Sequence, residues 1–358
     1  MKKKIAIIGT VGIPAKYGGF ETLTEYLTKY LSNEYEMTVY CSAKSYEEQQ
    51  DTYNGAALEY IDLNANGVQS IPYDIISIFK ALKYADTLLI LGVSGCSILP
   101  VVRFFSRKRI VVNIDGLEWK RQKWNRYAKW FLKFSEKMAV KYADVVIADN
   151  SVIQEHVKES YGKESELIAY GADHVERVPL STEVLGQYPF LSEPYAFTVC
   201  RIEPENNLHL IIEAMAQQEE LALVIVGNWE NSEYGKELRQ KYVDVGHIYL
   251  IDPIYDQNIL NQLRSNCTVY LHGHSAGGTN PSLVEAMHLK LPIFAYDVAY
   301  NKETTEHQAA YFHTAEELLS LVENRTEETL EQNAEKMYEI AGRRYVWKTI
   351  AKAYATLF

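Results

Sequence analysis

The stretch with the clearest chemical potential is Cys267 to Met287, CTVYLHGHSAGGTNPSLVEAM. A buried strand over 267–271 is expected to pass through Gly277-Gly278-Thr279 into a helix starting at Pro281, with Asn280 as its N-cap. Such a turn leaves backbone N–H groups pointing one way at the positive end of the helix dipole, which favours a phosphate or diphosphate. Glu285 follows one turn later. A carboxylate does not welcome phosphate, so its expected role is to accept hydrogen bonds from sugar hydroxyls. The same residues are compatible with a tight strand-to-helix connection carrying an exposed glutamate.

Other candidates sit at comparable positions. Arg201, in CRIEPE after a strand, can neutralise a diphosphate or pair with Glu203 or Glu205 on the surface. Asp115 and Glu118, in NIDGLE, follow another strand end, where ligands bind α/β sheets, although Asp115 is equally suited to cap a helix. Gly9, Gly12, Gly18 and Gly19 lie between the first strand and first helix, as in dinucleotide-binding turns. The spacing is not G-x-G-x-x-G, however, and the second strand ends at Tyr40-Cys41 without an acidic residue, so NAD binding is the alternative reading. Gly18-Gly19 still permits a close backbone approach to a ligand. His272 and His274 lack a companion ligand cluster, so they are candidates for hydrogen bonding to a sugar or for general base chemistry. No D-x-D motif occurs, and no metal-bridged diphosphate is expected.

The elements that must hold these residues alternate regularly. Strand-like runs recur at 4–9, 37–41, 57–61, 87–93, 109–114, 144–148 and 166–170, and again at 195–200, 222–227, 247–251, 267–271, 292–296 and 309–312. Helical patterns separate most of them, which predicts α/β architecture with two doubly wound parallel sheets. The expected division is 1–185, 186–340 and a C-terminal helix over 341–358 packing back on the first domain. The segment 177–194, with three prolines, reads as a linker. Two such domains in tandem are expected to face each other across a cleft.

Composition narrows the functional classes. With 358 residues, 47% apolar and 23% charged, the chain has the profile of a soluble protein of two domains. Its net charge of −11 belongs to residues 186–358, which hold 13 basic and 24 acidic residues, against 23 of each in 1–185. That balance argues against nucleic-acid binding. Cys41, Cys96, Cys200 and Cys267 are scattered, as expected of a cytoplasmic protein without disulfides. The start MKKKIAIIGT turns into a Gly/Pro loop too soon for a signal peptide. Between Leu117 and Tyr142, eight basic residues accompany two acidic ones. A helix is expected over 119–142, with Arg126, Lys129, Lys133, Lys137 and Lys141 on one face and aromatic residues on another. Beside Trp119, Trp124 and Trp130 this suits an anionic membrane surface; a crossover helix with its aromatic face in the core is the alternative.

Taken together, YGGFET, VCRIEP and SAGGTNPSLVEAM resemble the signatures of glycosyltransferase family four, retaining enzymes of GT-B fold. More narrowly, GIPAKYGGFET, NIDGLEWKRQKW, RIEPENN and GGTNPSLVEAM resemble bacterial rhamnosyltransferases that add β-1,4-linked L-rhamnose to a lipid-diphosphate-linked sugar in capsule or cell-wall polysaccharide synthesis. The resemblance implies that Gly18 and Gly19 approach the donor diphosphate or sugar, that Arg201 binds the diphosphate, that Gly277, Gly278, Thr279 and Asn280 contribute amides, and that Glu285 binds the ribose. Arg201, Asp115 and Glu285 are the expected catalytic residues, His274 joins the donor site, and Glu118 with the basic helix serves acceptor and membrane. The implied donor is dTDP-β-L-rhamnose, with no metal cofactor and a location on the inner face of the cell membrane. Three departures stand out. Asn206 replaces a lysine, Gly277 replaces a glutamate, and the region of Asp115 replaces a histidine. An NAD-dependent oxidoreductase, a sugar-nucleotide binding protein without turnover and a transferase of another sugar are the remaining alternatives.

Overall fold

Runs such as Leu88–Leu91, apolar at every residue, can be buried on both faces only inside a parallel sheet covered by helices. A computed structural model describes residues 2–16, 18–121 and 124–358. Tyr17 of the YGGFET string and Gln122 and Lys123 of NIDGLEWKRQKW lie outside the described residues. The chain forms two compact units, residues 1–170 with 347–358, and residues 171–346.

The first unit contains β1 (Lys4–Ile8), β2 (Glu36–Ser42), β3 (Thr52–Tyr53), β4 (Ala56–Ile61), β5 (Thr87–Leu91), β6 (Arg109–Asn113), β7 (Val145–Ala148) and β8 (Glu166–Leu167). Their order is β3-β4-β2-β1-β5-β6-β7-β8, and every pairing is parallel except β3 with β4. The short β3 hairpin has no counterpart in the periodicity. Strand order reverses between β1 and β5, which opens a crevice beyond their carboxyl ends. Residues 347–358 complete this unit: Trp347 stacks on Tyr26 with ring centroids 4.6 Å apart, and Trp347, Ile350, Tyr354, Leu357 and Phe358 are buried in its core.

The second unit contains β9 (Tyr195–Val199), β10 (Ala222–Val226), β11 (Ile248–Ile251), β12 (Val269–His272), β13 (Ile293–Tyr296) and β14 (Ala310–Phe312), in the order β11-β10-β9-β12-β13-β14 and parallel throughout. This is the doubly wound dinucleotide-type order, with its switch point between β9 and β12. The segment 177–194 is not a free linker. It folds into a helix over Thr182–Gln187 and a 3-10 turn over Pro189–Ser192, and Ser181 N–H donates to the Gln262 side chain at 2.8 Å.

The basic helix also differs from expectation. It starts at Arg126, because Asn125 caps it by accepting from the N–H groups of Tyr127 and Ala128, whereas Glu118–Lys120 forms a separate 3-10 turn. Its core side carries Leu132, Ser135, Glu136, Ala139 and Val140. Tyr127, Trp130 and Phe134 are exposed together with Lys133, Lys137 and Lys141, so aromatic and basic residues share the solvent side. Phe104 and Phe105, 83% and 78% exposed, end the neighbouring helix Leu99–Phe105. Among the described residues, no helix is long and apolar enough to cross a membrane.

At the first unit's crevice, Gly95 N–H donates to Asp74 Oδ2 at 3.1 Å, and a Cβ on Gly95 would stand 2.3 Å from the Asp74 Cβ. Only glycine fits so close an approach. Burial pushes the Asp74 carboxyl from 3.8 up to about 8, although the Gly95 bond works the other way. Below the unfolded value the group is neutral in both states; as pH rises, the unfolded chain ionises first and stability is lost until the folded pKa is passed. Asp74→Asn should therefore gain stability over the parent progressively between pH about 4 and about 8, measured by urea denaturation. A difference independent of pH would count against a buried, protonated Asp74.

Candidate active site

The loops beyond β9 and β12 are tied together at the second unit's switch point. Asn207 takes the left-handed conformation, φ 48°, and its side chain donates to the Gly273 carbonyl at 2.8 Å. A Cβ on Gly273 would stand 2.1 Å from the Asn206 carbonyl oxygen, so glycine is required for this contact. Ser275 donates to the Glu205 carbonyl from both its N–H and its hydroxyl, at 2.8 and 2.9 Å. Asn206 donates to the Arg201 carbonyl at 2.6 Å and meets His274 Nδ1 at 2.8 Å. These bonds bring the Arg201 loop and the glycine turn to one place. Arg201 itself is exposed, and among the described residues it forms no ion pair with Glu203 or Glu205.

The glycine turn enters the helix Pro281–His288. Asn280 caps it, accepting from Ser282 N–H at 3.0 Å, and Pro281 occupies the first turn. Gly277 has φ 122° and, with Gly278, is partly exposed, whereas Thr279 is buried. The turn therefore presents backbone at the positive end of a capped helix.

Glu285 is held more firmly than its sequence suggests. Its carboxylate pairs with Arg264, which is 1% exposed, and with His174 Nε2 at 3.3 Å, while the Glu285 side chain keeps 19% exposure. Burial opposes ionisation, but the Arg264 guanidinium, followed by His174, outweighs it and holds the carboxyl at about 2. Arg264 also donates to Asn261 at 2.9 Å. Neither partner was foreshadowed: Arg264 lies within an amphipathic helix, Gln257–Ser265, and His174 lies in an irregular segment.

His272 and His274 are separated by 6.1 Å between ring centroids. His272 is buried, which lowers its pKa to about 3 and removes it as a base near neutrality. Among the described residues no group of three or more His, Cys, Asp or Glu is placed to hold a metal ion.

In the first unit, Gly18 precedes the helix Gly19–Leu31 with φ 149°. The buried Glu21 carboxylate lies against it: a Cβ on Gly18 would meet Glu21 Oε2 at 2.4 Å. Glu25 accepts from Ala15 N–H at 2.6 Å and so anchors the same loop. A carboxylate at this turn suits hydroxyl groups better than phosphate oxygens. Asp115 does not cap a helix. It sits at φ 60° with its N–H donating to Asn113 Oδ1 at 2.9 Å, and Asn113 in turn donates to the Tyr354 hydroxyl at 2.8 Å. Glu118 is engaged locally with Trp124 Nε1 at 3.1 Å and Arg121 at 2.8 Å. The buried Glu136 accepts from Trp119, His156 and Tyr161 and fixes the turn beyond β6, a role the sequence did not signal.

Truncating Arg264 should strand Glu285. Arg264→Ala is expected to cost roughly 3 kcal/mol, the low end for a broken buried pair because Glu285 remains partly exposed. Urea denaturation of the purified variant measures this, and a loss under about 1 kcal/mol would show that His174 and water suffice.

Residues 2–173 match the family described as Domain of unknown function (DUF1972), and residues 187–344 match Glycosyl transferases group 1. A search by sequence among curated proteins gives no match. Among solved structures, sucrose-phosphate synthase from Thermosynechococcus elongatus is 16% identical with a TM-score of 0.82, covering 99% of this chain and 98% of that one. Anabaena HepE in complex with UDP-glucose is 18% identical, with a TM-score of 0.75 and the same coverages. OtsA, a trehalose-6-phosphate synthase, is 9% identical with a TM-score of 0.73, again over 99% and 98%. At these identities the likeness is one of fold. The chain has the GT-B fold, and its residues 187–344 match the model of the glycosyl transferases group 1 family.

Proposed function

We propose that the protein is a retaining glycosyltransferase that moves L-rhamnose from dTDP-β-L-rhamnose to a lipid-diphosphate-linked sugar in surface polysaccharide synthesis, forming a β-1,4 linkage. The observation that carries the transferase reading is the second unit's switch point. There an exposed Arg201 and the Gly277–Asn280 turn lie on tied loops, and an ionised Glu285 lies on the helix the turn enters. Arg201 and the turn's amides neutralise the departing diphosphate, which is where the rate enhancement arises. Glu285, kept ionised by Arg264 and His174, accepts from the ribose hydroxyls. On the first unit, Glu21 beside Gly18 offers an acceptor for sugar hydroxyls, and Asp115 stands at the rim beyond β6. Same-face attack follows from the resemblance to retaining enzymes, and no metal is assigned a role.

The donor sugar rests on the resemblance together with Gly277, which offers backbone where the broad family has a carboxylate. A site without that acceptor gains less from a fully hydroxylated hexose, which favours a 6-deoxy sugar. Turnover of dTDP-β-L-rhamnose, UDP-glucose, UDP-N-acetylglucosamine and GDP-mannose on one lipid-diphosphate-linked acceptor tests it. The rhamnose donor should lead by at least about tenfold, about 1.4 kcal/mol. Equal use of UDP-glucose would overturn the sugar assignment and leave the transferase reading intact.

The acceptor's lipid fits the exposed face of the Arg126–Tyr142 helix. Tyr127, Trp130 and Phe134 stand among Lys133, Lys137 and Lys141, and Phe104 and Phe105 project from the adjoining helix. Aromatic residues among lysines suit the interface of an anionic bilayer. Replacing Lys133, Lys137 and Lys141 by Glu removes about 1 kcal/mol of attraction per residue, so sedimentation with phosphatidylserine vesicles at low salt should fall sharply. Trp130→Ser with Phe104→Ser should weaken the binding that survives high salt. Unchanged sedimentation in both variants would reduce this face to a solvated one.

A further inference from the structure

A carboxylate that serves a ligand needs a charge and a direction, and in Glu285 the two come from different partners. Arg264 supplies the charge. Its buried guanidinium pairs with Oε2 of Glu285 and is itself held by Asn261 Oδ1 at 2.9 Å. A carboxylate bound through one oxygen still has a broad terminal torsion, which a single partner does not fix. His174 Nε2 stands 3.3 Å from the other oxygen, Oε1. A partner on each oxygen holds the plane of the group as well as its charge.

His174 can do this because its segment is anchored on both sides. Upstream, Ala172 N–H donates to the Tyr345 carbonyl at 2.8 Å, and His288, one turn beyond Glu285 on the same helix, donates to that carbonyl through Nε2 at 2.9 Å. Downstream, Arg177 donates to the Ser265 carbonyl at 3.1 Å, and Val178 N–H donates to the Ser265 hydroxyl at 3.3 Å. Ser265 is the neighbour of Arg264, so the two partners of Glu285 are carried on segments bonded to each other. All of these residues lie within 171–346, the second unit.

The arrangement leaves Glu285 able to accept more. A carboxylate offers about four lone-pair sites. Among the described residues, Arg264 engages one oxygen and His174 the other, and the side chain keeps 19% exposure. The sites that remain suit hydroxyl donors and repel phosphate oxygens. The sugar of a 2′-deoxynucleotide has one such hydroxyl on its ring, at the 3′ position, and ribose shares it.

We propose that His174 is a positioning residue of the donor site: with Arg264 on one oxygen of Glu285, it holds the other so that the carboxylate stays turned to the 3′-hydroxyl of the bound nucleoside. This rests on the glycosyltransferase reading above. His174 does not touch the ligand. It stops the carboxylate from turning, and so governs how strongly one hydroxyl is recognised, while the diphosphate is left to Arg201 and the glycine turn.

A cycle that deletes the hydroxyl from the ligand as well as the ring from the protein isolates this effect. Calorimetry of the full chain measures Kd for dTDP and UDP and for the analogue of each that lacks the 3′-hydroxyl. In the wild-type protein, loss of that hydroxyl should weaken binding by about tenfold or more, as expected of a hydrogen bond to a charged group. His174→Phe, which keeps a ring without a donor, should narrow the gap to under about threefold, with the analogue itself bound within about twofold of wild type. His174→Ala carries the same comparison where the phenyl ring prevents folding. A gap of wild-type size in the variant overturns the proposal, and so does equal weakening of nucleotide and analogue, which marks a residue that only supports the fold. Equal binding of nucleotide and analogue by the wild-type protein also overturns it and leaves the transferase reading standing. Failure of both dTDP and UDP to bind removes that reading too.

Discussion

A parallel strand buried on both faces has no polar surface to offer, so every group that can meet a ligand must lie in the loops beyond its carboxyl end. In each unit the reversal of strand order separates two neighbouring loops and leaves a crevice between them. The second unit keeps its loops in register by bonding them to each other. Asn207 reaches the Gly273 carbonyl, Ser275 reaches Glu205, and Asn206 spans from the Arg201 carbonyl to His274. The rigidity of the sheet is thereby passed to residues that belong to no regular element.

Buried charge is the cost of that arrangement, and both units settle it locally. Glu285 has an almost fully buried arginine on one side and His174 on the other, which keeps the carboxylate ionised and fixes its direction. Glu136 is only 1% exposed, yet it accepts from an indole, an imidazole and a phenol. A carboxylate with its oxygens occupied in this way is tolerable inside a protein, whereas an unpaired one shifts toward its neutral form, as Asp74 does.

The α/β architecture was legible because apolar runs, glycines and helical periodicity are local signals. The capped start of the Pro281–His288 helix was legible for the same reason, since Asn280, Pro281 and Ser282 are adjacent. The start of the basic helix was misread because Trp119 and Trp124 continue its hydrophobic pattern, while the Asn125 cap and the bonds from those indoles to Glu136 and Glu118 decide where it begins. The segment 177–194 looked like a linker by its prolines, but its polar groups find partners at Gln262 and Ser265 more than eighty residues away. Arg264 was invisible as a site residue because its partner Glu285 is 21 positions distant and no spacing rule connects them.

The return of residues 347–358 to the first unit has a consequence for how the chain reaches its native state. Trp347 and Tyr354 fill the core beneath β1 and β6, and Tyr354 accepts the bond that steadies Asn113 and, through it, Asp115. During synthesis these residues follow the entire second unit. The first unit, though begun before the second, keeps part of its apolar interior uncovered until they arrive, whereas the second needs nothing beyond residue 346 to close. Vectorial synthesis therefore places completion of the first unit's core after synthesis of the second unit.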